Sequence, residues 1–272
     1  MFFVVDVLVA VVLGIVQGIT EWLPVSSKGN VAILGQFFGL GTREAFSFAI
    51  ILHVGTLISA AFYFRKDIIE MAFGKEKEKR NFILWTLVAT ALTALPSYFL
   101  LKKILETASI NVFGVAVFSQ TIFLIAVSFF LLVTGVLQLA KKTARAGVFS
   151  TKNAVLLGLA QGFTVLPGMS RSGTTASAML FEGFSPQKAF ELSFLISVPA
   201  VLLGELSFNF LEKPLLEPSM VFGVIASAVV GYFSIGVLID FAKRVNFGKF
   251  CIALGASYFL IAVLSVALPK IA

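Results

Sequence analysis

Gly14-Ile15-Val16-Gln17-Gly18-Ile19-Thr20 and Gly158-Leu159-Ala160-Gln161-Gly162-Phe163-Thr164 are one heptapeptide pattern written twice, 144 positions apart from Gly14 to Gly158. After a one-residue gap, Leu23-Pro24-Val25-Ser26-Ser27-Lys28 aligns with Leu166-Pro167-Gly168-Met169-Ser170-Arg171. The offset returns at Ala45-Phe46 and Ala189-Phe190, which sets His53 opposite Ser197. An internal repeat constrains the architecture before any single residue does.

Both copies are apolar but broken. Residues 4–42 carry Pro24, Ser26, Ser27, Lys28 and Gly29 at their middle, and residues 154–184 carry Pro167, Gly168, Ser170, Arg171, Ser172 and Gly173. Irregular backbone at membrane depth survives only where it is buried in protein or lines a polar cavity. Each broken region therefore reads as a re-entrant helix–loop–helix. Around them lie six uninterrupted apolar runs of spanning length, at 46–64, 82–101, 111–140, 189–211, 219–241 and 250–268. The expected fold is an all-α integral membrane protein, one membrane domain over 1–272. It consists of two repeats, 1–140 and 150–268, each a re-entrant hairpin plus three transmembrane helices. Three is odd, so the halves are inverted in the membrane, and broken helices at matching places in such halves point to a midplane site.

Composition agrees. Of 272 residues, 58% are hydrophobic and 13% charged, where a soluble domain carries about 25% charged. The net charge of +7 does not indicate nucleic acid, because the basic residues sit in short loops between apolar runs. Loops 65–81, 141–152 and 243–249, with Lys188, hold fourteen Lys and Arg against five on the other face. The basic face is expected to be cytoplasmic, with both termini extracytoplasmic and the chain multi-pass in the plasma membrane. The first hairpin then dips from outside and the second from the cytoplasm, so that their tips meet. Residues 1–6 lack the basic region of a cleaved signal, and the first apolar segment is expected to be kept. The lone Cys251 reads as a packing residue.

The polar residues on the hairpins carry the chemistry. Gln17 and Glu21 are four apart and share one helical face. Just beyond Pro24, Ser26 and Ser27 add hydroxyls and Lys28 a cation, a combination suited to phosphate chemistry. Glu21 is a candidate cation ligand or base and Ser27 a candidate nucleophile; the structural alternative is that Glu21 caps a neighbouring helix or neutralises Lys28. In the second hairpin, Gly168 and Gly173 permit close backbone approach to a ligand, and the amides opening the next helix point at an anion. Arg171 adds a planar, bidentate fork, and Ser170, Ser172 and Thr174 add hydroxyls. The alternative is a small-residue loop that fills space between helices. His53 lies mid-span opposite Ser197; a packing imidazole bonded to a neighbour is its expected role, and its loss is expected to cost little.

Gln17-Gly18-Ile19-Thr20-Glu21-Trp22-Leu23-Pro24-Val25-Ser26-Ser27, with Pro167-Gly168-Met169-Ser170-Arg171-Ser172-Gly173, closely resembles the undecaprenyl-diphosphate phosphatases of the bacitracin-resistance type. Leu52-His53-Val54-Gly55-Thr56, the stretch from Glu191 to Pro199, and Lys243-Arg244-Val245-Asn246-Phe247 extend the likeness nearly end to end. The resemblance implies hydrolysis of a polyprenyl diphosphate to the monophosphate, which recycles a lipid carrier for cell-envelope glycans. It also implies an outward-opening site and a divalent cation, Mg or Ca. By position it makes Glu21 the essential acid, Gln17 its partner and fellow cation ligand, Ser27 the nucleophile, and Ser170, Arg171, Ser172 and Thr174 the diphosphate cradle. Expected partners are the lipid diphosphate, the membrane and a second copy of the chain in a homodimer. Two departures stand out: the family usually has Ser or Thr then Gly-His after Ser27, where this chain has Lys28-Gly29-Asn30, and position 49, often acidic there, is Ala49. A transporter or flippase for a prenyl phosphate or small anion is the alternative on the same fold, since broken helices in inverted repeats suit transport as well.

Overall fold

The computed structural model describes residues 6–74, 77–106, 150–164, 170–211 and 218–267, with short stretches between 111 and 139. Pro167, Gly168 and Met169, most of the expected 111–140 span and most of loops 141–152 and 212–218 lie outside the described residues. The described chain is helical apart from one two-residue bridge. The helices are α1 (Val7–Thr20), α2 (Ser27–Phe37), α3 (Thr42–Tyr63), α4 (Arg65–Phe73), α5 (Lys77–Glu106), α6 (Thr151–Phe163), α7 (Arg171–Phe181), α8 (Pro186–Leu211), α9 (Met220–Arg244) and α10 (Phe247–Ala267).

The two broken regions fold as helix pairs, α1–α2 and α6–α7, and their ends follow the repeat. Asp6 caps α1 by accepting from Leu8 N at 3.0 Å, and Ser150 caps α6 by accepting from Asn153 N at 3.2 Å. These side chains satisfy amides that the first helical turn leaves without partners. At the far ends, Leu40 N donates to Gly35 O and Phe184 N to Met179 O, with Gly39 and Gly183 at φ +86° and +99° between them. Both closures need the left-handed conformation that glycine adopts without a Cβ clash, and the two glycines occupy matching repeat positions.

Packing is exchanged between the halves. α1 of the first half lies along α9 of the second, and α6 of the second lies along α5 of the first. Glycines make both contacts: a Cβ on Gly14 would overlap the Gly223 carbonyl, and one on Gly162 would overlap the Thr93 hydroxyl. Where lipid is as apolar as a leucine side chain, such close backbone approach is what holds helices together. Two apolar cores repeat as well. Leu13, Phe48 and Leu52 in one match Leu157, Leu192 and Ile196 in the other. A third core, with Trp22, Phe190, Phe194, Ile235 and Cys251, joins the halves.

By length and composition, the stretch Met220–Phe241 of α9 is able to cross a membrane, and Val7–Thr20, Ser47–Tyr63 and Gly248–Leu264 are shorter apolar helices. Val221, Phe222, Ile225, Val229, Phe233 and Val237 stand exposed along α9 at helical spacing, an apolar stripe that water would not tolerate. Two expectations need correction. The segment 65–81 is not simply a loop, because α4 occupies residues 65–73. Its charges prevent a span, yet Ile68 packs on the third core while Ile69 and Phe73 are exposed, which is an amphipathic helix. The expected span 111–140 does not begin as a helix: Asn111–Val112 (β1) pairs antiparallel with Val115–Ala116 (β2), with the β-branched Val112 opposite Val115. Helical positions in that segment are described from Ile125 onward.

Candidate active site

The two helix pairs meet tip to tip. Ser172 Oγ donates to Leu23 O at 2.7 Å and Ser170 Oγ to the same oxygen at 3.3 Å. A Cβ on Gly173 would stand 2.8 Å from Pro24 Cβ, so the hairpins touch because residue 173 has no side chain. Ser170 also caps α7, accepting from Gly173 N at 3.3 Å. The sequence assigned Ser170, Ser172 and Gly173 to an anion cradle; in the structure the two hydroxyls tie the hairpins together and the Gly173 amide donates to the Ser170 cap of α7.

Glu21 is the centre of the contact. It ends α1, is 6% exposed, and uses both carboxylate oxygens. Oε2 accepts from Ser27 Oγ at 2.6 Å and from Gln17 Nε2 at 3.0 Å, and lies 3.2 Å from His53 Nε2. Oε1 accepts from Arg171 Nη2 at 2.8 Å. Gln17 reaches it because the two share a face of α1, Ser27 because it opens α2, and His53 from α3. Arg171 comes from the other half of the chain. A carboxylate this buried requires paired charge and hydrogen bonds, and it has both.

Arg171 is held as a fork. Nη1 donates to Ser193 O at 3.0 Å on α8, Nη2 to Glu21, and the buried Nε has no hydrogen-bond partner among the described residues. The Thr175 and Ser193 hydroxyls are 2.6 Å apart behind it, and its guanidinium carbon lies 6.0 Å from the Trp22 ring centroid. Gln17 Oε1 is likewise buried without a partner. One unused donor and one unused acceptor flank a carboxylate and a hydroxyl. Among the described residues no three His, Cys, Asp or Glu side chains are grouped to hold a metal by themselves. The oxygens of Glu21 and Gln17 fit part of the ligand set of a hard divalent cation, the remainder of which comes from phosphate oxygens in sites of this kind.

Glu21, Ser27, Gln17 and Arg171 thus stand together. The left-handed Ser26 (φ 57°) and half-buried Thr174 flank them, neither with a side-chain hydrogen bond among the described residues that defines its part. Lys28, assigned to the site as a second cation, is exposed and forms no ion pair among the described residues, because it faces out of the first turn of α2. The reading of Glu21 as a neutraliser of Lys28 is replaced by its pairing with Arg171. His53 is the correction in the opposite direction. Its Nδ1 meets Ala49 O at 2.5 Å, the packing contact expected, but its Nε2 reaches Glu21. The signal was there: a lone ionisable ring in an apolar span. The contribution of Ser193 is a backbone carbonyl, which no side-chain pattern announces.

Residues 10–257 match the family described as bacitracin resistance protein BacA. A protein of Methanothrix thermoacetophila named undecaprenyl-diphosphatase is 37% identical over 98% of this chain and 99% of its own length. One of Methanococcoides burtonii with the same name is 34% identical over 90% of this chain and 94% of its own, and one of Geobacter metallireducens is 35% identical over 89% and 91%. The matched region runs through both hairpins and every helix that carries a residue of the Glu21 cluster, so the chain belongs to the bacitracin resistance protein BacA family.

Proposed function

We propose that this chain is a membrane undecaprenyl-diphosphatase, hydrolysing a polyprenyl diphosphate to the monophosphate and phosphate and so recycling a lipid carrier for envelope glycans. The observation that carries the reading is the hydroxyl of Ser27 at 2.6 Å from a carboxylate that Arg171 holds from the opposite hairpin, together with the relatives' names. Ser27 Oγ attacks the terminal phosphorus while Glu21 Oε2 takes its proton. The bond from that phosphorus to the bridging oxygen breaks, and the prenyl monophosphate leaves. Water then splits the phosphoserine, releasing phosphate and returning the proton to Ser27. Arg171, through its free Nε and its forked Nη atoms, grips phosphoryl oxygens, which is where charge develops. His53 and Gln17 hold Glu21 Oε2 toward Ser27. Ser170, Ser172 and Gly173 join the hairpin tips and so place Arg171, while Ser26, Lys28 and Thr174 are assigned to contacts with the substrate. Glu21 and Gln17 would hold a divalent cation, Mg or Ca, which supplies neutralisation of diphosphate charge.

In this reading residues 1–272 form one membrane domain of the plasma membrane. The halves are inverted repeats, each with a re-entrant hairpin and three spans; matching caps, matching cores and exchanged packing support it. The fourteen-to-five basic asymmetry supports extracytoplasmic termini, and a homodimer is proposed as the assembly. The transport alternative finds no support in the relatives' names. Purified protein in detergent, given undecaprenyl diphosphate with and without chelator, is expected to release one phosphate per lipid. Release from no prenyl diphosphate would remove the reading.

A further inference from the structure

The amide of Asn30, in the first turn of α2, is fully engaged. Nδ2 lies 2.7 Å from Val25 O and 3.1 Å from Ser26 O, and Tyr258 OH donates to Oδ1 at 3.2 Å. Carbonyls only accept, so the amide nitrogen must face them, and the phenol then has only Oδ1 to donate to. The two carbonyls bracket Ser26, whose φ of 57° is the one positive φ at a non-glycine among the described residues. A side-chain-bearing residue persists there only when its surroundings over-determine the backbone. Ser26 has no side-chain cap bond to hold it, although Gly29 N and Asn30 N donate to its carbonyl at 3.0 and 3.2 Å. The next residue is Ser27, and the direction of its hydroxyl follows from that turn.

We infer that Asn30 and Tyr258 are positioning residues for the reaction: the asparagine clamps the left-handed Ser26 turn that aims Ser27 Oγ at Glu21, and the tyrosine of α10 fixes the amide. This rests on the reading of Ser27 as the attacking group. Asn30 itself touches neither Ser27 Oγ nor Glu21 in the described contacts. The last helix of the chain thereby reaches the first hairpin and sets the geometry of its nucleophile.

Two measurements test the clamp. With Ser27 intact, Asn30→Ala is expected to lower kcat about tenfold and Tyr258→Phe about threefold, with KM within about twofold, the size of one or two lost hydrogen bonds. Asn30→Asp, which keeps the acceptor but loses both donors, should match Asn30→Ala. The double variant Asn30→Ala/Tyr258→Phe should be no slower than Asn30→Ala alone, because the phenol acts only through the amide. Separately, in a Cys251→Ala background, maleimide labelling of Ser27→Cys (Ser27 is 7% exposed) should accelerate about tenfold when Asn30→Ala loosens the turn. Where wild type turns over, an unchanged kcat in Asn30→Ala, or losses that multiply in the double variant, overturns the clamp. Should wild type prove inactive on prenyl diphosphate, the phosphatase reading fails, and labelling alone decides: acceleration upholds the clamp and no change overturns it.

Discussion

Glu21 Oε1 and Arg171 Nη2 form a 2.8 Å ion pair across 150 residues of sequence, joining the tips of the two hairpins. Both side chains are largely buried, at 5% and 12% exposure, so each charge relies mainly on the other for its compensation. The same bond joins the hairpins and places the Arg171 fork beside the candidate base.

Removing either member should therefore cost stability as well as activity. Arg171→Lys keeps the charge but not the fork that spans Glu21 and Ser193 O, and should lose at least about tenfold in turnover, about 1.4 kcal/mol. Glu21→Gln should abolish hydrolysis. Truncating one partner of a buried pair costs about 3–5 kcal/mol. In thermal unfolding in detergent, Glu21→Gln/Arg171→Ala should be less destabilised than the sum of the single changes. Full activity in Arg171→Lys, or additive destabilisation, would refute the coupling.

Ser27→Ala should remove about 99% of turnover, since it takes away both the proposed attacking group and a donor to Glu21. For His53 the structure reverses the sequence expectation of a small effect. His53→Ala strips Glu21 Oε2 of a neighbour at 3.2 Å and should cost about tenfold in kcat, as for a buried hydrogen bond to a charged group. Steady-state kinetics on the two variants decide between the roles. If the His53 variant is dead while the Ser27 variant works, histidine becomes the candidate nucleophile.

Gln17 offers a test of the cation. Its Nε2 donates to Glu21 Oε2 at 3.0 Å, so Gln17→Glu replaces a donor with a second carboxylate. Two carboxylates sharing this site repel unless a cation lies between them. Gln17→Glu should therefore stay within about threefold of wild type at saturating Mg or Ca and lose all activity with chelator, because two carboxylates suit a hard cation. Inactivity at every cation concentration would take Gln17 out of the ligand set.

Orientation is accessible through Lys66, exposed on α4, and Pro218, exposed before α9. The basic asymmetry places Lys66→Cys toward the cytoplasm and Pro218→Cys outside. Membrane-impermeant labelling of intact cells should modify only the second, and the opposite pattern would invert the topology.

Much of the molecule is legible in its sequence. The duplicated Gly-x-x-Gln-Gly pattern predicted two equivalent broken helix pairs, and the structure adds that the cores packed on them match at the same offset. Glu21 and Arg171 stood out in the sequence as ionisable groups in an apolar chain and Ser27 as a hydroxyl close to Glu21, and the structure brings the three together. What the chain order leaves open is which polar groups meet in space. Lys28 and His53 show this: both are single basic residues near the first hairpin, yet the helical rotation at the start of α2 turns one to the exterior, while the packing of α3 against that hairpin brings the other to Glu21. The Ser193 carbonyl and the Asn30–Tyr258 bond belong to the same class. They join residues 22 and 228 positions apart: the first depends on how α7 packs on α8 within the second half, the second on the last described helix reaching across to the first hairpin.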